Sequence, residues 1–265
     1  RDQAKNVAGC CLARRPALTA WYGRHRAASK RLKLMMKLIA MGRQGDERSD
    51  DDFAQDTHVS RDSGCCAPAS SDTFDSVLVL IAEAPARRAA LVLPAADQAA
   101  GDPALSAARR LAKLFEALAQ ARPTRPVSEI EDLIWALWIS HPSPAAESLM
   151  TGAIEAFADG RLAQARGHFD ALVAAWPDWA EAWNKRATLA YVEGRDDDAC
   201  RDIARTLALE PRHFGAIAGF GQICLRRERP CEAAIAFRAA LTLNPHLHGI
   251  RALLDEISGG VARMH

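Results

Sequence analysis

The sequence repeats itself every 34 residues between positions 146 and 247, and this period limits the folds that the chain can adopt. Five columns of residues match at that spacing. The columns are Pro177, Pro211 and Pro245; Ala165, Ala199 and Ala233; Phe169, Ile203 and Phe237; Ala153, Ala187 and Gly221; and Gly160 and Gly194 with Glu228 in the third copy. Three copies without a gap, 146–179, 180–213 and 214–247, indicate a repeat architecture.

Each copy has the pattern of two helices joined by a turn. The small residues Ala153 and Ala165 allow two helices to approach closely, Gly160 suits the turn, and Pro177 cannot continue a helical hydrogen-bond ladder. The 265-residue chain is 49% hydrophobic but only 6% aromatic, and its Ala- and Leu-rich composition favours helix over sheet. One such helix pair cannot bury its apolar face alone, so the copies must stack. The sequence therefore predicts an all-α fold.

These residues resemble the tetratricopeptide repeat superfamily, in particular small bacterial proteins that contain such repeats. The second copy matches best, through Ala180-Glu-Ala-Trp183, Gly194, Ala199 and Glu210-Pro211. The third copy departs from the family pattern, because Glu228 takes the place of the turn glycine and Pro230 follows it. The resemblance implies a right-handed α-α superhelix (a solenoid). Its first helices would line a concave groove that holds an extended peptide or a partner's helix.

The groove positions that the resemblance assigns run from an apolar first copy to a more polar middle. They are Met150, Ile154, Phe157, Asn184, Thr188, Tyr191, Ala218, Gln222 and Leu225. An alternative is that the helices preceding the array cover Met150 and Phe157, as N-terminal helices commonly do.

Co-chaperones of this superfamily hold the acidic C-terminal tail of a heat-shock chaperone with a clamp of Lys, Asn, Asn, Lys and Arg. The matching positions here are Met150, Ile154, Lys185, Gly215 and Gly219. With one base and no asparagine, this set disfavours chaperone tails as partners. The resemblance implies some other protein or peptide partner.

Helical patterns also flank the repeats. Residues 103–145 predict two helices, the second opened by a capping box of Ser128 and Glu131. Residues 248–258 predict a helix that caps the array and ends at Ser258-Gly-Gly260. The predicted repeat domain thus spans residues 146–258, with N-terminal helices packed on it and ordered structure beginning near residue 103.

Residues 1–100 are predicted to be a disordered leader, a targeting segment or a non-native extension. Residues 1–45 carry eleven Lys or Arg and one Asp, whereas residues 46–75 carry nine acids and two Arg, and like-charge blocks resist compaction. An Arg-rich opening also resembles an organellar transit peptide, and residues 87–96 have the order of a weak secretory signal. The family resemblance implies an exported, periplasmic protein. A cytoplasmic or organellar location stays open.

No pattern for catalysis, a cofactor or a metal emerges. His246-x-His248 has no nearby ligand cluster, the acids at 196–198 suit a helix N-terminus, and Cys224 and Cys231 are interpreted as small buried residues. A disulfide between these two cysteines is a weaker alternative. No apolar run approaches the length of a membrane span.

Three classes of function follow. The leading hypothesis is a non-enzymatic interaction module or scaffold, and the alternative is a structural protein that self-associates through its apolar first repeat. The third is nucleic-acid association through the basic leader, which the repeats themselves disfavour because they carry 12 basic and 14 acidic residues.

Overall fold

The computed structural model describes residues 71–89, 103–120 and 122–262, and the regular elements among them are α-helices. In chain order the helices are α1 (Ser71–Ala89), α2 (Pro103–Leu118), α3 (Val127–Ile139), α4 (Pro144–Ala158), α5 (Leu162–Ala175), α6 (Ala180–Val192), α7 (Asp196–Leu209), α8 (Phe214–Arg226), α9 (Pro230–Leu243) and α10 (His248–Ala262). The predicted all-α class is confirmed.

Helices α4 to α9 are the three helix pairs that the 34-residue period predicts. Each pair packs together, α5 then packs on α6, and α7 packs on α8, so the stack is continuous. We call the surface formed by α4, α6 and α8 the first-helix face, and the surface formed by α5, α7 and α9 the second-helix face. The predicted helical solenoid is confirmed.

The turn inside each pair has the same backbone shape in all three repeats. Gly160 and Gly194 have φ of +74° and +73°, in the left-handed region that glycine occupies without a steric penalty. Glu228 also adopts a positive φ, +56°. The third turn therefore keeps the geometry of the first two although a side chain stands there, and Pro230 fits as the first residue of α9, where no backbone donor is needed.

The repeat columns form the core as the sequence pattern predicts. Phe169 and Phe237 are completely buried, and Ile203 takes the same position in the second pair. Gly221 accommodates Phe237, because a Cβ on Gly221 would lie only 2.6 Å from Phe237 Cδ1. The small residue is thus required by close approach of the two helices within the pair.

Helix α1 corrects the expectation that ordered structure begins near residue 103. Its buried stripe follows helical spacing and packs on α7 and α9; the members are Phe74, Val77, Ile81 and Ala84. The sequence pattern did not reveal this stripe, because Asp72 and Asp75 flank its first residue and Pro85 directly follows its last. The rest of the predicted leader lies outside the described residues.

The flanking helices differ in detail from their sequence patterns. Helix α3 begins at Val127 after Pro126 without a side-chain cap, so Ser128 and Glu131 form no capping box. Glu131 instead accepts a hydrogen bond from Asn244 Nδ2 at 2.7 Å. Helix α10 runs past Ser258 to Ala262, since the two following glycines lower helix propensity without preventing intrahelical hydrogen bonds.

Candidate functional site

The first-helix face holds the nine predicted groove residues at two different depths. Met150, Ile154, Phe157 and Asn184 are buried, at 1–7% exposure. The half-buried ones, which we call the open strip, are Thr188, Tyr191, Ala218, Gln222 and Leu225. The accessible part of the predicted groove therefore lies on α6 and α8.

The first repeat contributes its apolar groove residues to a packed cluster. Met150, Ile154 and Phe157 belong to it, and the partly buried side chains of Ile139 and Trp183 pack against it. Ile139 is the last residue of α3, so the chain preceding the array takes part in covering this end. The burial of Met150 and Phe157 thus favours the alternative in which the preceding helices cover them over an open groove at this end.

Helix α3 lies over the start of α6 and α8, where Trp135 and Trp138 are its contact residues. Trp138 stacks on His213 with the rings 4.2 Å apart and 13° from parallel. Lys185 Nζ lies 5.2 Å from the centre of the Trp135 ring. Trp135 also fills the space beside Gly215, where a Cβ would lie 2.6 Å from Trp135 Cη2. Two of the positions that form the clamp in co-chaperones, Lys185 and Gly215, are therefore in contact with a tryptophan of the same chain.

Beneath these rings lies a fully buried charged cluster. Glu181 Oε1 pairs with Lys185 Nζ at 2.8 Å, and Glu181 Oε2 lies 2.8 Å from His213 Nε2 and accepts from Asn184 Nδ2 at 3.1 Å. The Ala216 backbone N–H donates to His213 Nδ1 at 3.0 Å, so the ring proton that faces Glu181 is on Nε2.

The charge state of this cluster follows from its contacts. Burial alone would raise the pKa of Glu181, but the Lys185 ammonium and the hydrogen bond from His213 lower it to about 2. A carboxylate held this way is a structural anchor rather than a proton donor at neutral pH. Asn184, which the resemblance placed in the groove, uses its side-chain amide to donate a hydrogen bond to Glu181 of this anchor.

The loops that follow the second helices hold the flanking helices by hydrogen bonds. Trp179 Nε1 donates to the Trp138 carbonyl at 2.9 Å, and His246 Nε2 lies 3.1 Å from the Leu118 carbonyl. Trp179 lies in the loop after α5, and both Asn244, which bonds Glu131, and His246 lie in the loop after α9. His213, in the loop after α7, stacks on Trp138. The pairing of His246 with Leu118 also gives this histidine a structural role.

The open strip ends beside an arginine that sequence reasoning missed. Arg226 lies over the Tyr191 ring, 3.8 Å from its centre, donates to the Tyr191 carbonyl at 2.9 Å, and forms an ion pair with Asp196. Thr188 Oγ1 donates to the Asn184 carbonyl at 2.9 Å. The strip thus combines a fixed aromatic ring, an arginine edge and small or aliphatic side chains.

The second-helix face contains a polar cavity of about 250 Å³ between α5 and α7, with α6 as its floor. Its lining residues are Arg166, Asp170, Arg186, Ala190, Arg195, Asp198, Arg201 and Asp202. The residues pair among themselves, as when Arg186 bridges Asp170 at 3.0 Å and Asp202 at 2.7 Å. Burial raises the pKa of Asp202 although Arg186 opposes the shift.

The catalytic and metal candidates of the sequence have other surroundings in the structure. Among residues 71–89, 103–120 and 122–262, no group of three or more His, Cys, Asp or Glu is placed to hold a metal ion. Asp196 pairs with Arg226 and Arg227, which gives the acidic helix start cationic side-chain partners. Cys224 is buried as expected, but Cys231 is exposed and both are free thiols, which corrects the expectation for Cys231. No helix in the described part of the chain is long and apolar enough to cross a membrane.

Comparison with known proteins gives a relative with significant sequence similarity and distant structural neighbours. No family model matches the chain. It is 37% identical over 115 residues to a TPR repeat-containing protein of Rhizobium etli, an alignment that covers 43% of this chain and 56% of that protein. The chain thus spans about half the length of the curated relative that it matches. The solved Arabidopsis OM64 TPR domain aligns with a TM-score of 0.41 at 18% identity, over 43% of this chain and 93% of that domain.

Proposed function

We infer that the chain is a tetratricopeptide-repeat protein, and we propose that it is a non-enzymatic interaction module that binds a peptide or a partner helix along the open strip. The observation that carries this proposal is that five groove side chains on α6 and α8 stay half-buried while the other four predicted groove residues are buried. Repeats of this family are generally interaction modules rather than enzymes.

The chemistry of the strip selects the kind of partner. Ala218 lets a partner backbone approach closely, Leu225 and the Tyr191 ring offer apolar surface, and Gln222 adds an amide. Arg226, already paired with Asp196, keeps the Tyr191 ring in one orientation and so lowers the entropy cost of binding. The proposed partner presents a short apolar segment with polar backbone groups along its edge.

The test uses the full chain as bait in native extract, followed by an affinity measurement for each captured partner. Ala218→Asp places a charge in the strip, and Ala174→Asp makes the same change at an exposed position of α5 on the opposite face. We expect Ala218→Asp to weaken binding by at least about tenfold, since one unpaired charge in an apolar contact costs more than 1.4 kcal/mol. Ala174→Asp should bind like the wild type. Equal binding by both variants would reject the strip as the site.

Self-assembly through the first repeat is the alternative function, and it needs Met150, Ile154 and Phe157 at the surface. All three are buried, so no observation favours this alternative. Light scattering of the full chain at high concentration measures it directly, and a monomer would exclude it.

A further inference from the structure

Helix α1 occupies a groove on the second-helix face that is the counterpart, one repeat along, of the polar cavity between α5 and α7. Adding 34 to the cavity's lining residues gives the groove between α7 and α9. Arg166, Asp170, Arg186 and Ala190 become Cys200, Ala204, Phe220 and Cys224. Arg195 and Asp198 keep charged counterparts in Arg229 and Glu232, which pair with each other, while the other counterparts are apolar. The same position in the fold is thus charged and open in one repeat, and mostly apolar and covered by α1 in the next.

The contacts of α1 match this groove along its length. At one end the Phe74 ring lies 5.5 Å from the Phe220 ring, with the guanidinium groups of Arg227 and Arg229 at 5.1 and 4.7 Å from the Phe74 centre. At the other end Arg87 donates to the carbonyls of residues 207 and 208, at 3.2 and 2.7 Å. These carbonyls end α7, where orphan acceptors and the helix dipole favour a cation.

The three repeats contact one another directly, without α1 between them. The two helices of each repeat pack on each other, and α7 packs on α8, so repeats 2 and 3 are joined directly. Helix α1 packs on them through its buried stripe, with Leu78 and Leu80 partly buried beside it, and its opposite side faces solvent, where Val79 is 52% exposed. Pro85 also removes one hydrogen bond from inside α1, which makes this helix weak without the groove.

We propose that the groove between α7 and α9 is a second docking site, for an amphipathic helix of a partner protein, and that α1 occupies it in cis until such a helix displaces it. The pattern of α1 defines the partner helix. It carries an aromatic residue, aliphatic residues three and seven positions later, a small residue at ten and an arginine at thirteen. The site is distinct from the open strip, because α1 packs on α7 and α9 whereas the strip lies on α6 and α8, although Phe220 of α8 also contacts α1 through Phe74.

The binding test uses a labelled peptide of residues 71–89 and fluorescence anisotropy on full-length chains. Val77→Asp/Ile81→Asp unseats α1 through its buried stripe, whereas Val79→Asp makes the same kind of change on the exposed side. Because α1 competes with the peptide, the unseated variant should bind it at least about tenfold more tightly than the wild type or the Val79→Asp chain.

Further variants show whether the peptide occupies this groove. Ala204→Asp, added to the unseated chain, recreates the charge that Asp170 supplies in the polar cavity and should abolish peptide binding. A peptide carrying Val77→Asp/Ile81→Asp should not bind, while a peptide with Val79→Asp should bind like the parent.

Thiol labelling gives a second readout in the same full-length chains. Cys200 and Cys224 are buried, whereas Cys231 is exposed and serves as the internal reference. In the unseated variant, labelling at Cys200 and Cys224, resolved by mass spectrometry, should accelerate at least about tenfold relative to Val79→Asp, since burial limits thiol reactivity. Saturating peptide should restore the slow rate.

Several results would overturn the proposal. Absence of peptide binding to the unseated variant would show that the groove takes no helix in trans, and binding unaffected by Ala204→Asp would place the peptide elsewhere. Loss of the cooperative thermal transition in Val77→Asp/Ile81→Asp would show that α1 is an obligatory part of the core instead of an exchangeable helix.

Discussion

Replacing Glu228 by glycine should stabilise the protein, because the third repeat turns there with φ of +56°. An L residue pays about 1–2 kcal/mol in the left-handed region, and glycine removes this penalty from the folded state. Glycine also increases the entropy of the unfolded chain, which offsets up to about 1 kcal/mol of the gain. Glu228 is exposed, so its removal exposes no core surface. The net gain in the free energy of unfolding for Glu228→Gly is therefore about 0.5–1 kcal/mol.

Urea denaturation followed by far-UV circular dichroism measures this difference, and a thermal scan should show a melting temperature higher by about 1–4 °C. Glu228→Gln is the control that keeps the Cβ and removes the charge, and it should match the wild type. The reverse change, Gly194→Gln, imposes the same backbone penalty on the second repeat and should destabilise by about 1 kcal/mol. If Glu228→Gly and Glu228→Gln have equal stability, the conformational argument is refuted.

Two further stability predictions come from the core and the charged cluster. Gly221→Ala should lower the free energy of unfolding by about 1–3 kcal/mol because its Cβ would overlap the Phe237 ring, whereas Gly219→Ala has open space and serves as the control, both measured in urea. The pKa of Glu181 is about 2 in the folded chain, below its ordinary value of 4.5, so its contribution is complete above pH 4.5 and is lost as the pH falls toward 2. Glu181→Gln should therefore cost about 3 kcal/mol at pH 7 and much less at pH 3, and a cost independent of pH would contradict the pairing with Lys185 and His213.

The repeat framework could be predicted from the sequence because each of its recurring residues has a single structural role. Gly160 turns the chain, Ala165 allows close approach, Phe169 fills the core and Pro177 ends a helix, and these tasks recur every 34 residues. Even the departure at Glu228 leaves the turn in place, since packing of the two helices on either side outweighs the local penalty.

The candidate site was only partly predictable, because groove exposure depends on what lies above the repeats. The resemblance assigned Phe157 and Asn184 to the groove by their position in the repeat, but that position carries no information about α3, whose tryptophans pack over the start of α6 and α8. The side-chain pairing of Asn184 with Glu181 joins residues within one helix, and the partner His213 lies 32 positions from Glu181. The available signal was the spacing of Glu181, Asn184 and Lys185, which lie at i, i+3 and i+4 on one face of a helix.

The difference between the two second-helix grooves arises at positions that the repeat pattern leaves variable. Arg186 and Phe220 occupy the same place in successive repeats, one meeting Asp170 and Asp202 and the other meeting Phe74. An arginine in place of Phe220 would lose its hydration beneath α1 without gaining a carboxylate partner. Burying a charge in this way is costly in an apolar contact. The residues that recur every 34 positions therefore determine the fold of the array, while other, variable positions determine what packs on each groove. For this reason the same repeat can form a charged open cavity in one place and, in the next, a mostly apolar groove that binds a helix.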